Sequence, residues 1–281
     1  MIVVIGGTGT LGKALSKVLV SSYDGDVTIV SRCELKQKQM QKDFPSFRYV
    51  VGDVTKDNWT HCVQGKPETV FNLSAMKHVD VAESNVEQCF DINYGGTVKS
   101  YKWAQSLGAN YVFTSTDKGV LPINAYGYSK AAAEKFLYSM KHHATSVAVY
   151  RWGNVLGSRG SVLHAFKESL ESGKCINVTH ESMTRFWMHI DDVAYFMWNS
   201  YEVPTTYEPH IPEIKAATVL DLGRATAHVL GVTDYQVNYT GIRPGEKIHE
   251  CLRTGHDYCL SSNNCEQYTF EELCNLVERS L

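Results

Sequence analysis

The sequence predicts an α/β fold: a doubly wound parallel sheet with helices on both faces, followed by a small C-terminal lobe. Strand and helix signals alternate through the first half of the chain, and most of the strands are short, β-branched and apolar, as is typical of strands covered on both sides. The 281 residues are 43% hydrophobic, which is enough to bury a sizeable core. Such alternation implies right-handed crossovers between parallel strands.

The predicted elements divide the chain in two. Strands are expected at 2–5, 27–30, 47–51, 69–73, 109–114 and 146–150, with helices at 11–20, 34–42, 86–107 and 126–141. The pattern loosens after Arg151, where helices are expected near 162–172, 193–201 and 218–230 and from 269 onward, with a strand at 235–239. We therefore expect one domain over 1–152, to which a helix near 190–203 returns, and a lobe formed by 153–189 and 204–281.

Charge and hydropathy limit the classes of partner. The formal net charge is -3 and the sequence pI is about 6.4, so no global basic field would attract nucleic acid. No apolar run approaches the roughly 20 residues that span a bilayer, and the chain begins on a predicted strand without a positively charged leader. We expect a cytoplasmic protein without a nucleic-acid or membrane partner.

The cysteines favour thiols over a metal site. There are eight, without a CxxC pair, and four of them lie near the C-terminus, close to His249 and His256. A zinc site there is the alternative, but the spacing lacks the short paired ligands of zinc knuckles. We expect reduced, mostly structural thiols and no bound metal.

A glycine-rich segment, Gly6-Gly7-Thr8-Gly9-Thr10-Leu11-Gly12, joins the first predicted strand to the first predicted helix. Glycines at such a junction permit a tight turn and let backbone N–H groups approach a pyrophosphate at the positive end of the helix. We expect a Rossmann-type dinucleotide site. Its phosphate-binding residues are Gly6, Thr8, Gly9, Thr10, Leu11 and Gly12.

The end of the second predicted strand indicates which dinucleotide binds. An acidic residue at this place suits the ribose 2′-hydroxyl of NAD, whereas arginine suits the 2′-phosphate of NADP. Ser31 and Arg32 occupy it, and the nearby Glu34 begins the next predicted helix, so we expect NADP. Asp53 could accept a hydrogen bond from the adenine amino group, the alternative being a turn aspartate. Val54, Ser74 and Ala75 are also cofactor-binding candidates, together with Tyr126 and Lys130 further along the chain.

Tyr126 and Lys130 lie four residues apart, on one face of a predicted helix. A tyrosine that acts as a base near pH 7 needs its pKa lowered by about 3 units, or roughly 4 kcal/mol. Lys130 and the charge of an oxidised nicotinamide could supply this. Ser115 and Thr116, at the end of the fifth predicted strand, could hydrogen-bond the same hydroxyl.

With these motifs the sequence resembles the extended short-chain dehydrogenases/reductases. More narrowly, it resembles the UDP-N-acetylglucosamine 4,6-dehydratases of flagellin-glycan and capsule biosynthesis, especially the 5-inverting branch. The similarity runs from residue 1 to about residue 252. It is carried by Met76-Lys77-His78-Val79, Ser115-Thr116-Asp117-Lys118, Pro122-Ile123-Asn124, Tyr126-Gly127-Tyr128-Ser129-Lys130, Arg151-Trp152-Gly153-Asn154, Ser158-Arg159-Gly160-Ser161-Val162, Met183-Thr184-Arg185-Phe186 and Arg243-Pro244-Gly245-Glu246-Lys247.

The resemblance implies a catalytic set. Asp117 would be the acid that protonates the departing carbon-6 hydroxyl and Lys118 the base that takes the carbon-5 proton, with Thr116 and Tyr126 at the carbon-4 hydroxyl. A nucleotide-sugar 4-epimerase is the alternative, because it needs Tyr126 and Lys130 but no acid–base pair for water loss. A dinucleotide sensor with an inactive site is a third hypothesis, which the intact catalytic residues disfavour.

The resemblance also implies an NADP-dependent lyase of UDP-N-acetylglucosamine that forms homo-oligomers. Arginine is suited to bind a diphosphate with both arms of its fork, and a glutamate can accept from ribose hydroxyls. The implied substrate-binding residues are Lys77, Asn154, Ser161, Val162, Arg185, Arg243 and Glu246.

Overall fold

The protein is described by a computed structural model that covers residues 1–140, 145–158, 160–173, 175–205, 208–255 and 258–281. The chain forms two compact units. The first consists of residues 1–151 and 194–211, and the second of residues 152–193 and 212–281. Each has its own hydrophobic core.

The first unit is built on a six-stranded parallel sheet of strand order β3-β2-β1-β4-β5-β6. This is the order of a Rossmann-type doubly wound sheet, so the predicted fold class is confirmed. The order reverses between β1 and β4, where such sheets bind their ligands. The strands are β1 (Ile2–Ile5), β2 (Val27–Ser31), β3 (Arg48–Val51), β4 (Thr69–Asn72), β5 (Asn110–Thr114) and β6 (Val147–Tyr150).

Helices connect the strands of this sheet. They are α1 (Thr10–Ser22), α2 (Glu34–Asp43), α3 (Val79–Ser84), α4 (Val86–Phe90), α5 (Gly96–Ser106) and α6 (Ala125–Ser139), with 3₁₀ turns at Asn58–Cys62 and Asp117–Gly119. The helix predicted over 86–107 corresponds to α4 and α5, which are joined by a π-helical turn at Asp91–Gly95. A π-helical turn of this kind is rare and frequently marks a functional site.

The strands of the sheet are buried because both of their faces are covered. Every residue of β1, β2, β4 and β6 is buried, whereas the edge strand β3 is largely exposed. The core packs Val3, Val70, Tyr111, Phe113 and Val149 together, all of them inaccessible to solvent. This close packing fixes the carboxyl ends of the strands, where the candidate site residues lie.

The second unit contains short strands and four helices. Its elements are β7 (Asn154–Leu156), α7 (Val162–Glu171), β8 (Ile176–Val178), β9 (Thr184–His189), β10 (Ala216–Thr218), α9 (Val219–Val229), β11 (Val237–Tyr239), β12 (Cys251–Thr254), β13 (Cys259–Ser261) and α10 (Phe270–Glu278), together with the start of α8 (Ile190–Ser200), which ends in the first unit. β9 pairs with β7 and β10, β8 pairs with β11, and β12 with β13. Six of these strands, β7 to β10, β12 and β13, were not predicted.

The core of the second unit lies between its helices and the short strands. Phe166, Trp187, Leu222 and Val277 are almost completely buried in it. The last helix, α10, belongs to this core and begins with a capping box, in which the Thr269 hydroxyl accepts from the Glu272 amide. The C-terminal residues that matched no motif are therefore part of the folded unit.

The expectation of reduced thiols is wrong for one pair of cysteines. Cys251 and Cys259 form a disulfide across the β12–β13 hairpin, with their Cα atoms 6.6 Å apart. The hairpin register, which the spacing of the cysteines does not give, brings them within disulfide range. The other six cysteines are free.

Two features are absent from the described ranges. No group of three or more His, Cys, Asp or Glu side chains that could hold a metal ion is found there, and His256 of the considered zinc cluster lies outside the described residues. No helix in the same ranges is both long and apolar enough to cross a membrane.

Candidate active site

The glycine-rich turn lies between β1 and α1, as predicted. Gly6 has a φ of +78°, and a Cβ built there would lie 2.8 Å from the Ser74 amide nitrogen. A Cβ at Gly12 would lie 2.2 Å from the Gly7 carbonyl oxygen. Both positions therefore require glycine, the first for its conformation and for the approach of the segment after β4, the second for the packing of α1 against the turn.

This turn has the features that a dinucleotide pyrophosphate requires. α1 is 13 residues long and starts directly after Gly9, with Thr10 and Leu11 in its first turn, so the N–H groups of this turn and the partial positive charge of the helix lie at the end of β1. Thr8 is buried and Ala75 is exposed. The residues predicted for the phosphate contact thus fit this group.

Gln37, which was not among the predicted site residues, connects the ends of β2 and β3. The side-chain amide nitrogen of Gln37 lies 3.1 Å from the Ser31 carbonyl oxygen, 3.0 Å from the Ser31 hydroxyl and 2.8 Å from the Val50 carbonyl oxygen. Arg32, the next residue after Ser31, is exposed. The position of Arg32 is therefore fixed through its neighbour, while its side chain stays accessible.

Asp53 makes the hydrogen bonds of a turn aspartate, which is its alternative role. Its Oδ1 accepts from the amide and the hydroxyl of Thr55, both at 2.9 Å. Burial opposes ionisation, but these hydrogen bonds and the charge of Arg32 lower the pKa of Asp53. Val54 is buried and lies against Gly96.

Ser74 is held by Asn72, the last residue of β4. The Asn72 side-chain oxygen accepts from the Ser74 amide at 3.1 Å and from its hydroxyl at 2.6 Å. The side-chain amide nitrogen of Asn72 donates to the Tyr111 hydroxyl at 2.9 Å, inside the core. Ser74 is thereby positioned beside Gly6.

The catalytic candidates after β5 lie together. Asp117 is fully buried, and its Oδ1 accepts from the Thr116 hydroxyl at 2.9 Å and from Lys118 Nζ at 3.0 Å. Within the described part of the chain, Asp117 Oδ2 and the buried Ser115 hydroxyl have no hydrogen-bond partner. The carboxylate thus has one oxygen bound by a hydroxyl and a cation and one oxygen available to a ligand.

Tyr126 enters the same cluster from α6. Asn124 caps this helix by accepting from the Gly127 amide at 2.7 Å, and the Glu83 carboxylate accepts from the Ala125 amide at 2.6 Å. Burial raises the pKa of Tyr126 to about 12, although the charge of Lys118 and a hydrogen bond with Thr116 act in the opposite direction. The Tyr126 hydroxyl therefore keeps its proton at neutral pH, and the cation that acts on it is Lys118.

Lys130 lies one helical turn after Tyr126 and is 1% exposed. Its Nζ is 4.0 Å from the centre of the Phe113 ring, and none of the described residues hydrogen-bonds it. Burial lowers the pKa of Lys130 to about 7, against the attraction of Glu134. A buried ammonium without a hydrogen-bond acceptor indicates a place for an acceptor from a ligand, such as the hydroxyls of a cofactor ribose.

A buried asparagine in the π-helical turn was not predicted as a site residue. Asn93 accepts from the Met76 amide at 2.8 Å, and donates to the Met76 carbonyl at 3.0 Å and to the Ser129 hydroxyl at 2.9 Å. It links the segment before Lys77 to the helix that carries Tyr126. The sequence contained one signal for this role. Asn93 lies in the interior of a long predicted helix, and asparagine is a weak helix former.

The remaining substrate-binding candidates lie in the second unit, on several elements. Asn154 begins β7 and pairs in register with Trp187 of β9. Ser161 precedes α7, with its hydroxyl 3.0 Å from His164 Nδ1, and Val162 is the first residue of that helix. Arg159 of the same motif lies outside the described residues.

Arg243 and Glu246 occupy one turn. The Glu246 amide donates to the Arg243 carbonyl at 3.1 Å, the Arg243 amide donates to Glu246 Oε2 at 3.3 Å, and Gly245 adopts a φ of +80°. Arg243 is exposed. In the first unit, Lys77 is likewise exposed.

Arg185, in contrast, is 6% exposed and donates to backbone carbonyls. Nη1 lies 2.7 Å from the Thr184 oxygen and 3.1 Å from the Ile248 oxygen, and Nη2 lies 2.9 Å from the Lys247 oxygen. Its guanidinium is thus bound to the segment that directly follows Arg243 and Glu246.

Comparison with known proteins identifies the family. The model of the family described as polysaccharide biosynthesis protein matches residues 2–272. This chain belongs to that family. Its match covers both units, and therefore all the candidate residues described above.

Two relatives of this family member carry different names. A UDP-N-acetylglucosamine 4,6-dehydratase (inverting) of Campylobacter jejuni is 34% identical, over 99% of this chain and 84% of its own length. A UDP-glucose 4-epimerase of Rickettsia canadensis is 30% identical, over 95% of this chain and 81% of its own length. The resemblance inferred from the motifs is confirmed.

A solved structure has nearly the same fold. Pen from Bacillus thuringiensis matches this polysaccharide biosynthesis protein with a TM-score of 0.92 at 28% identity, covering 100% of this chain and 97% of the other. The fold is therefore common to both proteins.

The contact between the 117–119 turn and α6 predicts that a methyl group added at Gly127 destabilises the protein. A Cβ at Gly127 would lie 2.2 Å from the Lys118 carbonyl oxygen, so Gly127→Ala must displace the turn or the helix. We expect it to lower the free energy of unfolding by about 1–3 kcal/mol, the usual cost of overpacking. Urea unfolding measures this. Gly95→Ala is the control, since its nearest contact is 3.8 Å, and equal stabilities of the two variants would contradict the prediction.

Burial of Lys130 predicts how stability depends on pH. The pKa of Lys130 is about 7 in the folded chain and that of an ordinary lysine is 10.5, so between these values the unfolded chain binds more protons. The free energy of unfolding should then rise with pH across this window, by at most about 1.4 kcal/mol per pH unit from this group. Lys130→Met should remove that contribution.

The measurement is urea unfolding at pH 7, 8 and 9. The stability of the wild type relative to Lys130→Met should increase from pH 7 to pH 9. Lys135→Met changes an exposed lysine of the same helix and should follow the wild type. Parallel pH dependences of the wild type and Lys130→Met would contradict the burial of a neutral amine.

Proposed function

We propose that this family member is an NADP-dependent nucleotide-sugar 4,6-dehydratase, a hydro-lyase. It converts UDP-N-acetylglucosamine to a UDP-4-keto-6-deoxy-N-acetylhexosamine, with inversion at carbon 5. The observation that carries the proposal is the ion pair of Asp117 and Lys118, which lies beside Thr116 and Tyr126. The likeness to an inverting 4,6-dehydratase over nearly the whole chain supports it.

The ion pair contains the two groups that dehydration needs. Moving one proton along the 3.0 Å hydrogen bond from Lys118 Nζ to Asp117 Oδ1 turns the pair into an amine and a carboxylic acid. The amine then takes the carbon-5 proton, and the acid gives its proton to the departing carbon-6 hydroxyl. One proton enters and one leaves with water, so the ion pair is restored.

Thr116 and Tyr126 are the groups for the carbon-4 hydroxyl. Since Tyr126 has a high pKa in its buried position, it donates a hydrogen bond until charge nearby favours the tyrosinate. Lys118 lowers that pKa, and the charge of an oxidised cofactor would add to its effect. Thr116, bound to both Asp117 and Tyr126, connects the oxidation site with the dehydration site.

The cofactor site is proposed at the glycine-rich turn and the ends of β2, β3 and β4. Gly6, Gly9 and Gly12 would leave room for the pyrophosphate, and Arg32 would bind the 2′-phosphate of NADP. Lys130 would hold the ribose of the nicotinamide half. When bound, the nicotinamide supplies reversible hydride transfer at carbons 4 and 6 of the sugar.

The nucleotide of the substrate is assigned to the second unit. Arg243 is an exposed cation suited to the diphosphate, and Glu246, fixed in the same turn, would accept from the uridine ribose. Asn154, Ser161 and Val162 are proposed for the diphosphate-sugar, and this assignment rests on the motifs. Lys77 is a substrate-binding candidate on its own motif alone.

A 4-epimerase is the second candidate, because an epimerase of Rickettsia is also similar over most of the chain. Epimerisation uses Tyr126 and Lys130 and needs no acid for water loss. The placement of Asp117 and Lys118 in direct contact with the tyrosine cluster favours the dehydratase. The two reactions give different products, so identification of the product distinguishes them.

Asp117→Asn tests the reaction type. An amide cannot protonate a leaving hydroxyl, so product formation should fall by about 10²–10⁴-fold, the usual contribution of general acid catalysis. Oxidation of carbon 4, followed by the absorbance of the reduced nicotinamide, should persist. NMR of the wild-type reaction in heavy water should show a 4-keto-6-deoxy sugar with deuterium at carbon 5. A product that keeps its carbon-6 hydroxyl and differs only at carbon 4 would establish the epimerase instead.

Arg32→Ala tests the choice of cofactor. Removal of the guanidinium should weaken NADP binding by about 1.5–3 kcal/mol, the range for hydrogen bonds to charged groups, and leave NAD binding nearly unchanged. Calorimetric titration of both cofactors measures this. Arg48→Ala, at the opposite end of β3 and paired with Asp26, is the matched control. Equal losses of affinity for NAD and NADP would remove Arg32 from the 2′-phosphate site.

A further inference from the structure

Arg185 differs from Arg243 in what its side chain binds. Three of the five N–H groups of a guanidinium are used here by main-chain oxygens, one of Thr184 and two of the segment 247–248. The side chain is buried, and the three carbonyl dipoles stabilise its charge. Its principal contact is therefore with the protein backbone.

The same segment is held by a second set of hydrogen bonds. The Thr184 amide donates to the Ile248 carbonyl at 3.0 Å, and the Thr184 hydroxyl lies 2.8 Å from His249 Nδ1 and 2.6 Å from the Ser262 hydroxyl. The Glu250 amide donates to the Ser262 hydroxyl at 3.0 Å. Thr184 and Arg185, the first two residues of β9, thus bind consecutive residues after the Arg243–Glu246 turn.

The turn itself begins immediately before this anchored segment. Glu246 is followed directly by Lys247, whose carbonyl accepts from Arg185. Two hydrogen bonds between Arg243 and Glu246 close the turn, and the chain continues from it directly into the anchored segment. The backbone of the turn is consequently joined to β9 through the bonds of Arg185 and Thr184.

We infer that Arg185 is a positioning residue for nucleotide binding: it holds the 247–248 backbone and so places Arg243 and Glu246, and does not itself serve as the second phosphate clamp. The inference rests on the proposed nucleotide site at Arg243. Lysine cannot replace Arg185, because a single ammonium lacks the planar fork that spans two carbonyls of one segment and a third of β9.

The test is a double-mutant cycle read by calorimetric titration with UDP. Arg185→Lys should weaken UDP binding by about tenfold, and in an Arg243→Ala background it should cause almost no further loss, since residues of one network are coupled. An independent phosphate ligand would instead produce the same fold-loss in both backgrounds. That additive result, or unchanged binding by Arg185→Lys alone, would overturn the inference.

A second variant weakens the attachment of the segment that follows the Arg243–Glu246 turn, without changing any charge. Thr184→Val removes the hydroxyl that bonds His249 and Ser262 and should reproduce the loss of UDP affinity and its dependence on Arg243. Hydrogen exchange of the Thr184 and Glu250 amides should accelerate in Arg185→Lys and Thr184→Val but not in Arg243→Ala. Exchange that is unaltered in both anchoring variants would also defeat the positioning role.

Failure of the proposed function has a different signature. A wild-type protein that does not bind UDP, or an Arg243→Ala variant that binds it normally, would remove the nucleotide site itself. A protein that loses UDP affinity on Arg243→Ala but shows additive losses would leave that site intact and contradict only the role assigned to Arg185.

Discussion

The close approach of the Lys118 carbonyl to α6 is the contact on which the cluster of catalytic candidates depends. At Gly127 there is no room for a side chain, and this lets the 117–119 turn lie against the first turn of the helix. The turn carries the carboxylate and the ammonium, while the helix carries the tyrosine. Because the helix start is fixed by Asn124 and Glu83, two separate segments present their reactive groups in one place.

Burial is the cost of this arrangement. Lys130 and Asp117 are removed from water, and the pKa of Lys130 falls for that reason. A buried ammonium that contacts an aromatic ring is less stable than one bound by acceptors. The site is therefore stabilised by ligands that supply those acceptors, and its residues are arranged for binding and chemistry more than for the stability of the empty chain.

The sequence alone was enough to predict the sheet and to single out the candidate residues that the fold brings together after β5. β1, β2 and β4 were predicted within one residue because buried parallel strands leave a run of apolar, β-branched residues. The short strands of the second unit were missed, since three residues give no periodicity. The role of Arg185 was also outside reach: only the fold brings residues 184–185 against 247–250, and Gln37 and Asn93 act through contacts of the same long-range kind.

At the end of β2, the side-chain amide of Gln37 makes the position of the backbone independent of the Arg32 side chain. It holds the backbone of Ser31 to Val50 of the neighbouring strand, while the Arg32 side chain remains exposed. A change of charge at position 32 thus leaves the strand ends in place. Under the proposed assignment of Arg32 to the 2′-phosphate, substitution at this one surface residue changes cofactor preference without a compensating change in the core.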